Sequence, residues 1–180
     1  ADGRPHNQSF SRSPLILRQL AVAVEFLHGR SICHRDIQIE NFLLATPKGT
    51  EESQAMVKLI DFTTAKDFSN QELVTKFCTP MYVAREILAR RMDPYTEKVD
   101  VWSLGVLFFI MLCGHPPFAG DTDFDILKKV KKAAWKFEPA EAWKDVSKDA
   151  QDLVQKMIVA DEKERLSASQ VLQHAYLLAR

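Results

Sequence analysis

The run from Val99 to Cys113 sets the strictest limit on the fold, because it is 15 residues long and carries a single charge, Asp100. It is too short to cross a bilayer, whose hydrocarbon core takes about 20 apolar residues. A helix that is apolar around most of its circumference lies in a protein interior. The run therefore predicts a buried core helix, which Gly114 and the two prolines after it would end.

The composition is that of an ordinary soluble globular chain with room for one domain. The 180 residues are 46% hydrophobic and 27% charged, with 24 Lys and Arg against 24 Asp and Glu. A net charge of zero leaves no overall basic field, so neither nucleic acid nor an anionic membrane is expected as a partner. Cys33, Cys78 and Cys113 are odd in number and far apart. They predict neither a disulfide framework nor a CxxC metal site, and they favour a reducing, cytoplasmic setting.

The N-terminal part of the chain divides into a lead-in and a helix. Residues 1–12 are polar and irregular, without the apolar core of a signal peptide, and predict a flexible lead-in to a domain over residues 13–180. Ser13 and Pro14 offer a helix N-cap followed by proline at the first helical position. Apolar residues at helical spacing continue this helix to about His28.

Beyond this helix, the pattern predicts two small strands and then mainly helices. Phe42–Leu44 and Val57–Ile60 are short apolar runs typical of strands. Residues 63–81 show no sustained period and predict a long loop, a kind of segment that is usually functional in a compact domain. Further helices are predicted around Leu127 to Ala134, over Ala150 to Ile158, and from a capping box of Ser167 and Gln170.

Short polar motifs follow one another in order along the chain. They are His34-Arg35-Asp36, Asn41, Asp61-Phe62, Ala84-Arg85-Glu86, Asp100 to Gly105, and Arg165. Together they resemble the C-terminal lobe of a eukaryotic protein kinase over residues 13–178, and the series is far more specific than any one motif. The stretches ENFLL and DVWSLGVLFFIMLCGHPPF are most similar to the calcium/calmodulin-dependent and calcium-dependent kinase branch. The resemblance implies a mainly α fold with a few short β-strands.

The resemblance also implies phosphoryl transfer from ATP to a Ser or Thr of a protein substrate. Asp36 would orient the substrate hydroxyl and accept its proton, while Asn41 and Asp61 would bind Mg²⁺ through hard oxygen donors. Leu43 would pack beneath the adenine, and Glu40 would also belong to the nucleotide site. For an isolated HRD motif, a turn-capping Asp36 and a strand-ending Asp61 would be the simpler interpretation.

Five further residues are implied to support the fold. His34 and Phe62 would stack in a hydrophobic spine, and Asp100 would hold the backbone of the catalytic loop from the buried helix. Glu86 and Arg165 match the family's buried ion pair, and breaking such a pair usually costs about 3–5 kcal/mol.

Two threonines are candidates for regulation and substrate choice. Thr75 aligns with the activation-loop phosphorylation site, and Arg35 would meet that phosphate through charge-assisted hydrogen bonds. An exposed loop threonine with no such role is an equally good interpretation of Thr75. Thr79 matches the substrate-loop threonine that favours Ser or Thr acceptors.

The chain departs from the family pattern at several positions. Gln38 stands where a lysine contacts the γ-phosphate, and losing a charge-assisted hydrogen bond of about 1.5–3 kcal/mol would slow transfer about 10- to 100-fold. Thr63 replaces the glycine of the metal-binding motif, and because a β-branched residue resists backbone conformations that glycine allows, the carboxylate of Asp61 would be poorly oriented toward a metal ion. Cys78 and Arg85 replace a further glycine and a proline.

The glycines and lysines show a larger departure. No GxGxxG loop can be drawn from the six glycines, and no VAIK-like lysine precedes the match. The N-terminal lobe that covers the nucleotide is therefore expected to be missing, and positioning is worth about 7–11 kcal/mol of a barrier. We expect little or no activity from the chain alone and count a separately encoded N-terminal lobe among its candidate partners. The alternative is a catalytically degenerate, kinase-like interaction module that binds partner proteins through its groove and the Ile126–Ala134 helix.

Two other motifs point to different functions. Asp121, Asp123 and Asp125 sit at EF-hand positions, but Ile126 and Lys132 stand where glycine and glutamate are needed, so no EF-hand calcium site is expected. The lysine run at 128–132 would suit nucleic acid or a docking partner. In a chain of zero net charge, the solvated face of an amphipathic helix is the simpler interpretation.

Overall fold

The computed structural model describes residues 7–45, 56–74, 79–89 and 94–178. The mainly α fold with a few short strands is confirmed. Its helices are α1 (Asn7–His28), α2 (Arg85–Ala89), α3 (Lys98–Cys113), α4 (Asp123–Lys132), α5 (Ala140–Trp143), α6 (Lys148–Met157), α7 (Ala168–Leu172) and α8 (Ala175–Leu178). Its strands are β1 (Ile32–Cys33), β2 (Phe42–Ala45), β3 (Met56–Leu59) and β4 (Lys66–Asp67), with a 3-10 turn at Ile39–Asn41.

Helix α3 forms the centre of the core, as its apolar sequence predicts. Its residues are buried almost throughout, and α1, α5 and α6 pack around it. Gly105 permits the close approach of α6, because a Cβ at this position would lie 2.7 Å from Met157 Cβ. Gly114 ends the helix in the left-handed conformation, with φ of 78°, and its N–H donates to the Ile110 carbonyl.

Helix α1 begins earlier than its sequence predicts. It starts at Asn7 and runs through Pro14, so the helix start predicted at Ser13 and Pro14 is wrong. Residues 1–6 lie outside the described part, and the division into a flexible lead-in and a domain stays a prediction. A proline inside a helix removes one backbone hydrogen bond. The local start signal at Ser13 and Pro14 is overridden here. Buried Leu17 and Leu20 lie in the segment that packs on the rest of the domain, and most helical stability comes from such packing.

The strands form two small antiparallel pairs. Strand β2 pairs with β3, with Phe42 opposite Leu59, so the two predicted strands are confirmed within one residue at each end. Strand β1 pairs with β4, and Leu73 forms an isolated bridge with Tyr95. The segment predicted to be a continuous loop from residue 63 therefore contains a short strand and a bridge.

The C-terminal helices follow the capping signals in the sequence. The capping box of Ser167 and Gln170 at the start of α7 is confirmed. Helix α4 begins at Asp123 after a Thr122 N-cap and ends where Ala133 takes a φ of 47°, so Ala134 lies outside it. In the described ranges, no helix has the length and apolar character needed to cross a membrane.

Candidate active site

A buried carboxylate from α3 holds the loop that carries His34, Arg35 and Asp36. Asp100 is 1% exposed and accepts hydrogen bonds from the backbone N–H of His34 at 2.8 Å and of Arg35 at 2.7 Å. The imidazole Nε2 of His28, at the end of α1, lies 2.9 Å from the same carboxylate. Burial alone would raise the pKa of Asp100, but the hydrogen bond and attraction of His28, with the two N–H groups, lower it. One side chain thus joins α1, α3 and the loop.

A second set of contacts fixes the turn at Arg35. Its φ of 68° is in the left-handed region, which few non-glycine residues adopt. Arg35 Nε donates to the Thr64 carbonyl at 2.6 Å, and the Thr64 hydroxyl donates back to the His34 carbonyl at 2.9 Å. Arg35 also forms a hydrogen bond with Tyr95, so its guanidinium is already engaged with neighbouring protein groups.

The side chains predicted for catalysis converge on the carboxylate of Asp36. Its Oδ2 accepts hydrogen bonds from Gln38 Nε2 at 2.8 Å and Asn41 Nδ2 at 2.9 Å. Its Oδ1 accepts one from the hydroxyl of Thr79 at 3.1 Å. Asn41 also donates to the Asp36 backbone carbonyl at 2.8 Å. Donors from three different positions therefore set the orientation of this carboxylate.

The second predicted metal ligand, Asp61, is exposed and strained. Its φ is 60°, and its Oδ1 accepts hydrogen bonds from the Thr63 hydroxyl at 2.5 Å and the Thr63 N–H at 3.2 Å. The Thr63 hydroxyl is the main cause of the lowered pKa of Asp61. Thr63 thus occupies one of the oxygens that a cation would use.

The donor chemistry of these residues fits Mg²⁺. Because Asn41 directs its amide N–H groups toward Asp36, its amide oxygen faces the other way. That oxygen and the carboxylate of Asp61 are hard donors of the type that Mg²⁺ prefers. Together they would supply the one or two protein ligands typical of a site that also uses phosphate and water oxygens.

The two rings of the expected spine are in contact, but edge to face rather than stacked. The centroids of His34 and Phe62 are 5.0 Å apart at an angle of 69°. His34 is fully buried and its Nε2 lies 3.2 Å from the Ile60 carbonyl, whereas Phe62 is 49% exposed. Leu43, on β2, is 52% exposed, and Glu40 is exposed in the turn before that strand.

Glu86 and Arg165 form a buried bidentate ion pair. Arg165 Nη1 and Nη2 donate to Glu86 Oε1 and Oε2 at 2.6 and 3.0 Å. The same guanidinium donates to the carbonyls of Lys98 and Val159 and lies 5.0 Å from the centroid of the Trp102 ring. The pair therefore connects α2 to α3 and to the segment before α7.

Sequence reasoning missed two supports of the loop. The sequence predicts His28 only as the end of a helix, and a histidine that closes a helix just before a polar loop is the signal for its contact with Asp100. The sequence around Thr64 gives no sign of its role, because its two hydrogen bonds form only where its loop contacts the loop of His34 and Arg35. Thr75 and Cys78 lie outside the described residues.

Comparison with known proteins places the chain among kinases. The family described as "Protein kinase domain" matches residues 7–177. The chain is 42% identical over 163 residues to calcium-dependent protein kinase 3 of Plasmodium berghei, an alignment covering 89% of the chain and 28% of that kinase. The protein of the same name from Plasmodium yoelii yoelii is also 42% identical, and that alignment covers 89% of the chain and 29% of the relative.

A further relative comes from another lineage. Myosin light chain kinase A of Dictyostelium discoideum is 38% identical over 163 residues, covering 90% of the chain and 53% of that kinase. The chain therefore spans between 28% and 53% of the length of these three relatives.

Proposed function

This chain belongs to the protein kinase family, and from that premise we propose that it carries the catalytic loop of a serine/threonine kinase that transfers a phosphoryl group from ATP to proteins. Its similarity to calcium-dependent and myosin light chain kinases confirms the branch expected from the motifs. The observation that carries the proposal is the convergence of Gln38, Asn41 and Thr79 on the carboxylate of Asp36.

In this proposal, Asp36 is the base. A substrate hydroxyl reaching its Oδ1 side would meet the Thr79 hydroxyl, which already donates there, and Thr79 would help to admit Ser or Thr acceptors. Asp36 accepts the proton as the hydroxyl oxygen attacks the γ-phosphorus and the bond to the β-phosphate oxygen breaks. Asn41 and Asp61 would hold Mg²⁺, which when bound neutralises phosphate charge. Leu43 and Glu40 would contribute to the nucleotide site from the β2 side.

Efficient transfer also needs parts that these 180 residues do not contain. The sequence has no glycine-rich GxGxxG loop to cover the phosphates. We propose that the nucleotide is covered by a further polypeptide segment, either in the same protein or in a partner. The widely spaced cysteines, of which Cys33 and Cys113 are free and buried, support a cytoplasmic location.

A non-catalytic interaction module is the second candidate. It is favoured by the Asp61–Thr63 hydrogen bonds, which compete with a cation, and by Gln38, which brings no charge to a phosphate. Such a module would keep the contacts that stabilise the fold, such as those of Asp100 and the Glu86–Arg165 pair, and would not catalyse phosphoryl transfer.

The two candidates are separated by a chimaera in which a kinase N-terminal lobe precedes residue 7. We expect Mg²⁺-dependent labelling of a Ser/Thr peptide library by radiolabelled ATP, abolished by Asp36→Asn. The interaction module would be favoured by a folded chimaera that binds Mg-ATP but labels no peptide. Labelling that survives Asp36→Asn would overturn the role of Asp36.

A further inference from the structure

A groove of about 390 Å³ lies between α2 and α4, and none of the residues proposed for catalysis lines it. Its apolar side chains are Leu88 from α2 and Phe124 and Leu127 from α4. Phe124 is 75% exposed, the largest exposed fraction among the large apolar side chains of the described residues. Covering an aromatic ring of this kind is among the larger single contributions to protein binding.

One rim of the groove is basic. Lys128, Lys131 and Lys132 line it and are exposed, and no described residue forms an ion pair with any of them. Lys129, outside the groove, instead donates to the carbonyl of Ala119. The rim lysines therefore present three charges that the described part of the domain does not neutralise.

The geometry of α4 puts both features on one face. Phe124, Leu127, Lys128 and Lys131 follow the i, i+3, i+4, i+7 spacing of a single helix surface. Arg85 Nε donates to the Lys131 carbonyl at 3.1 Å, which ties α2 to the C-terminal end of α4. The apolar centre and the basic rim thus keep a defined separation.

We propose that this groove binds an acidic amphipathic segment of a partner protein. Its apolar side chains would cover Phe124 and Leu127, and its carboxylates would meet the lysine rim. Asp123, in the first turn of α4, makes the opposite end of the helix acidic, so the carboxylates of the partner lie toward the C-terminal end of α4. This inference rests on the second candidate function, the interaction module, and names the surface and the class of partner. It does not depend on phosphoryl transfer.

The test uses the full chain and a fluorescein-labelled peptide of about four helical turns, with Leu and Phe on one face and Glu elsewhere. Fluorescence polarisation should show saturable binding that weakens as salt rises. Replacing the apolar face by Ser, or all Glu by Lys, should abolish it. Phe124→Ala should weaken binding about 5- to 10-fold, and the double variant Lys128→Glu/Lys131→Glu at least about 10-fold.

The matched control is Lys148→Glu, an exposed lysine on α6 outside the groove, which should change affinity by less than about 2-fold. Circular dichroism establishes that each variant is folded. The proposal is overturned if the Ser-faced peptide binds equally well, since charge alone would then suffice. It is equally overturned if Phe124→Ala has no effect, if the peptide does not bind, or if a single-stranded RNA oligonucleotide binds more tightly at the same lysines.

Discussion

The Thr63 hydroxyl donates a 2.5 Å hydrogen bond to Asp61 Oδ1, so a candidate metal ligand is held by a neighbour two residues along the chain. The bond engages one carboxylate oxygen and stabilises the ionised form of Asp61, whose pKa is lowered mainly for this reason. A cation at Asp61 must therefore compete with a hydrogen bond that a glycine at position 63 would not provide.

We expect Thr63→Gly and Thr63→Val to raise the affinity of the chain for Mn²⁺, used as a probe for Mg²⁺. Both remove the hydroxyl, and freeing a hydrogen bond to a charged group is worth about 1.5–3 kcal/mol, so a gain of about 10- to 100-fold is expected. Electron paramagnetic resonance of free Mn²⁺ measures the affinity without requiring activity. Since valine keeps the β-branch, a gain in the glycine variant alone would assign the effect to backbone freedom, and no gain in either would contradict the competition.

Gln38→Lys should increase phosphoryl transfer in the chimaera about 10- to 100-fold, because an ammonium supplies the missing charge opposite the γ-phosphate. Single-turnover rates with a peptide identified from the library measure this. Gln38→Met is the matched control, since it has similar length and cannot donate to Asp36, and it should reduce the rate. A lysine variant that is folded but no faster would show that this position does not limit transfer.

Asp100→Asn should lower the free energy of unfolding by about 2–3 kcal/mol at pH 7, because a buried carboxylate that accepts three hydrogen bonds is replaced by a group that also carries donors. The lowered pKa of Asp100 gives the pH dependence its sign. Its stabilisation is fully present above the unfolded carboxyl value of about 3.9 and is lost as the pH falls through the lower folded value.

Urea unfolding at pH 7 and pH 3, followed by tryptophan fluorescence, checks both parts of that expectation. The difference between Asp100→Asn and the parent chain should shrink at the lower pH. Asp149→Asn, at an exposed position on α6, should change stability by less than about 0.5 kcal/mol at either pH. An undiminished difference at pH 3 would mean that Asp100 acts by shape and not by charge.

Removing either member of the Glu86–Arg165 pair should destabilise the chain by about 3–5 kcal/mol, because the partner is left buried and uncompensated. Glu86→Leu and Arg165→Met test this in chemical denaturation. The double variant Glu86→Leu/Arg165→Met should recover a large part of the loss. Lys156→Ala, which breaks the exposed pair with Asp152, should cost less than about 1 kcal/mol. If the stability losses of the Glu86 and Arg165 single variants simply add up to that of the double variant, the two residues are not directly coupled.

An apolar groove of about 820 Å³ between α1 and β3 should bind a hydrophobic dye such as ANS. Val22, Phe26 and Met56 line it and are each about half exposed. The double variant Val22→Ser/Met56→Ser should reduce the dye fluorescence by more than half, whereas Phe124→Ala, at the other groove, should change it little. If the parent chain does not increase the fluorescence of the dye, the apolar surface of this groove is not accessible.

Much of the architecture could be predicted because the decisive signals are local or repetitive. The apolar circumference of α3 requires burial wherever the helix lies, and the Ser167–Gln170 capping box closes within one turn. The spaced motifs name side chains that the fold brings together at Asp36, although their catalytic roles stay predictions. Such patterns require no knowledge of what lies across the core.

What escaped prediction depends on contacts between distant segments. The start of α1 at Asn7 overrides a good N-cap signal at Ser13, as tertiary context often overrides local propensity. The use of His28 by Asp100 joins residues 72 positions apart. The sequence shows that Thr63 replaces a glycine, but the hydrogen bond from its hydroxyl to Asp61 depends on the conformation of the loop.

The role of Asp100 shows that the conformation of the catalytic loop and the chemistry of its side chains have different origins. It fixes the loop through backbone N–H groups and through α1, so these supports of the loop come from the protein itself. A descendant that lost Asp36 or Asp61 would keep the same rigid platform. The conformation of an HRD-like loop in a sequence of this kind therefore depends on the buried helix and not on the catalytic side chains. A chain can keep the fold of an enzyme after it has lost the catalytic residues.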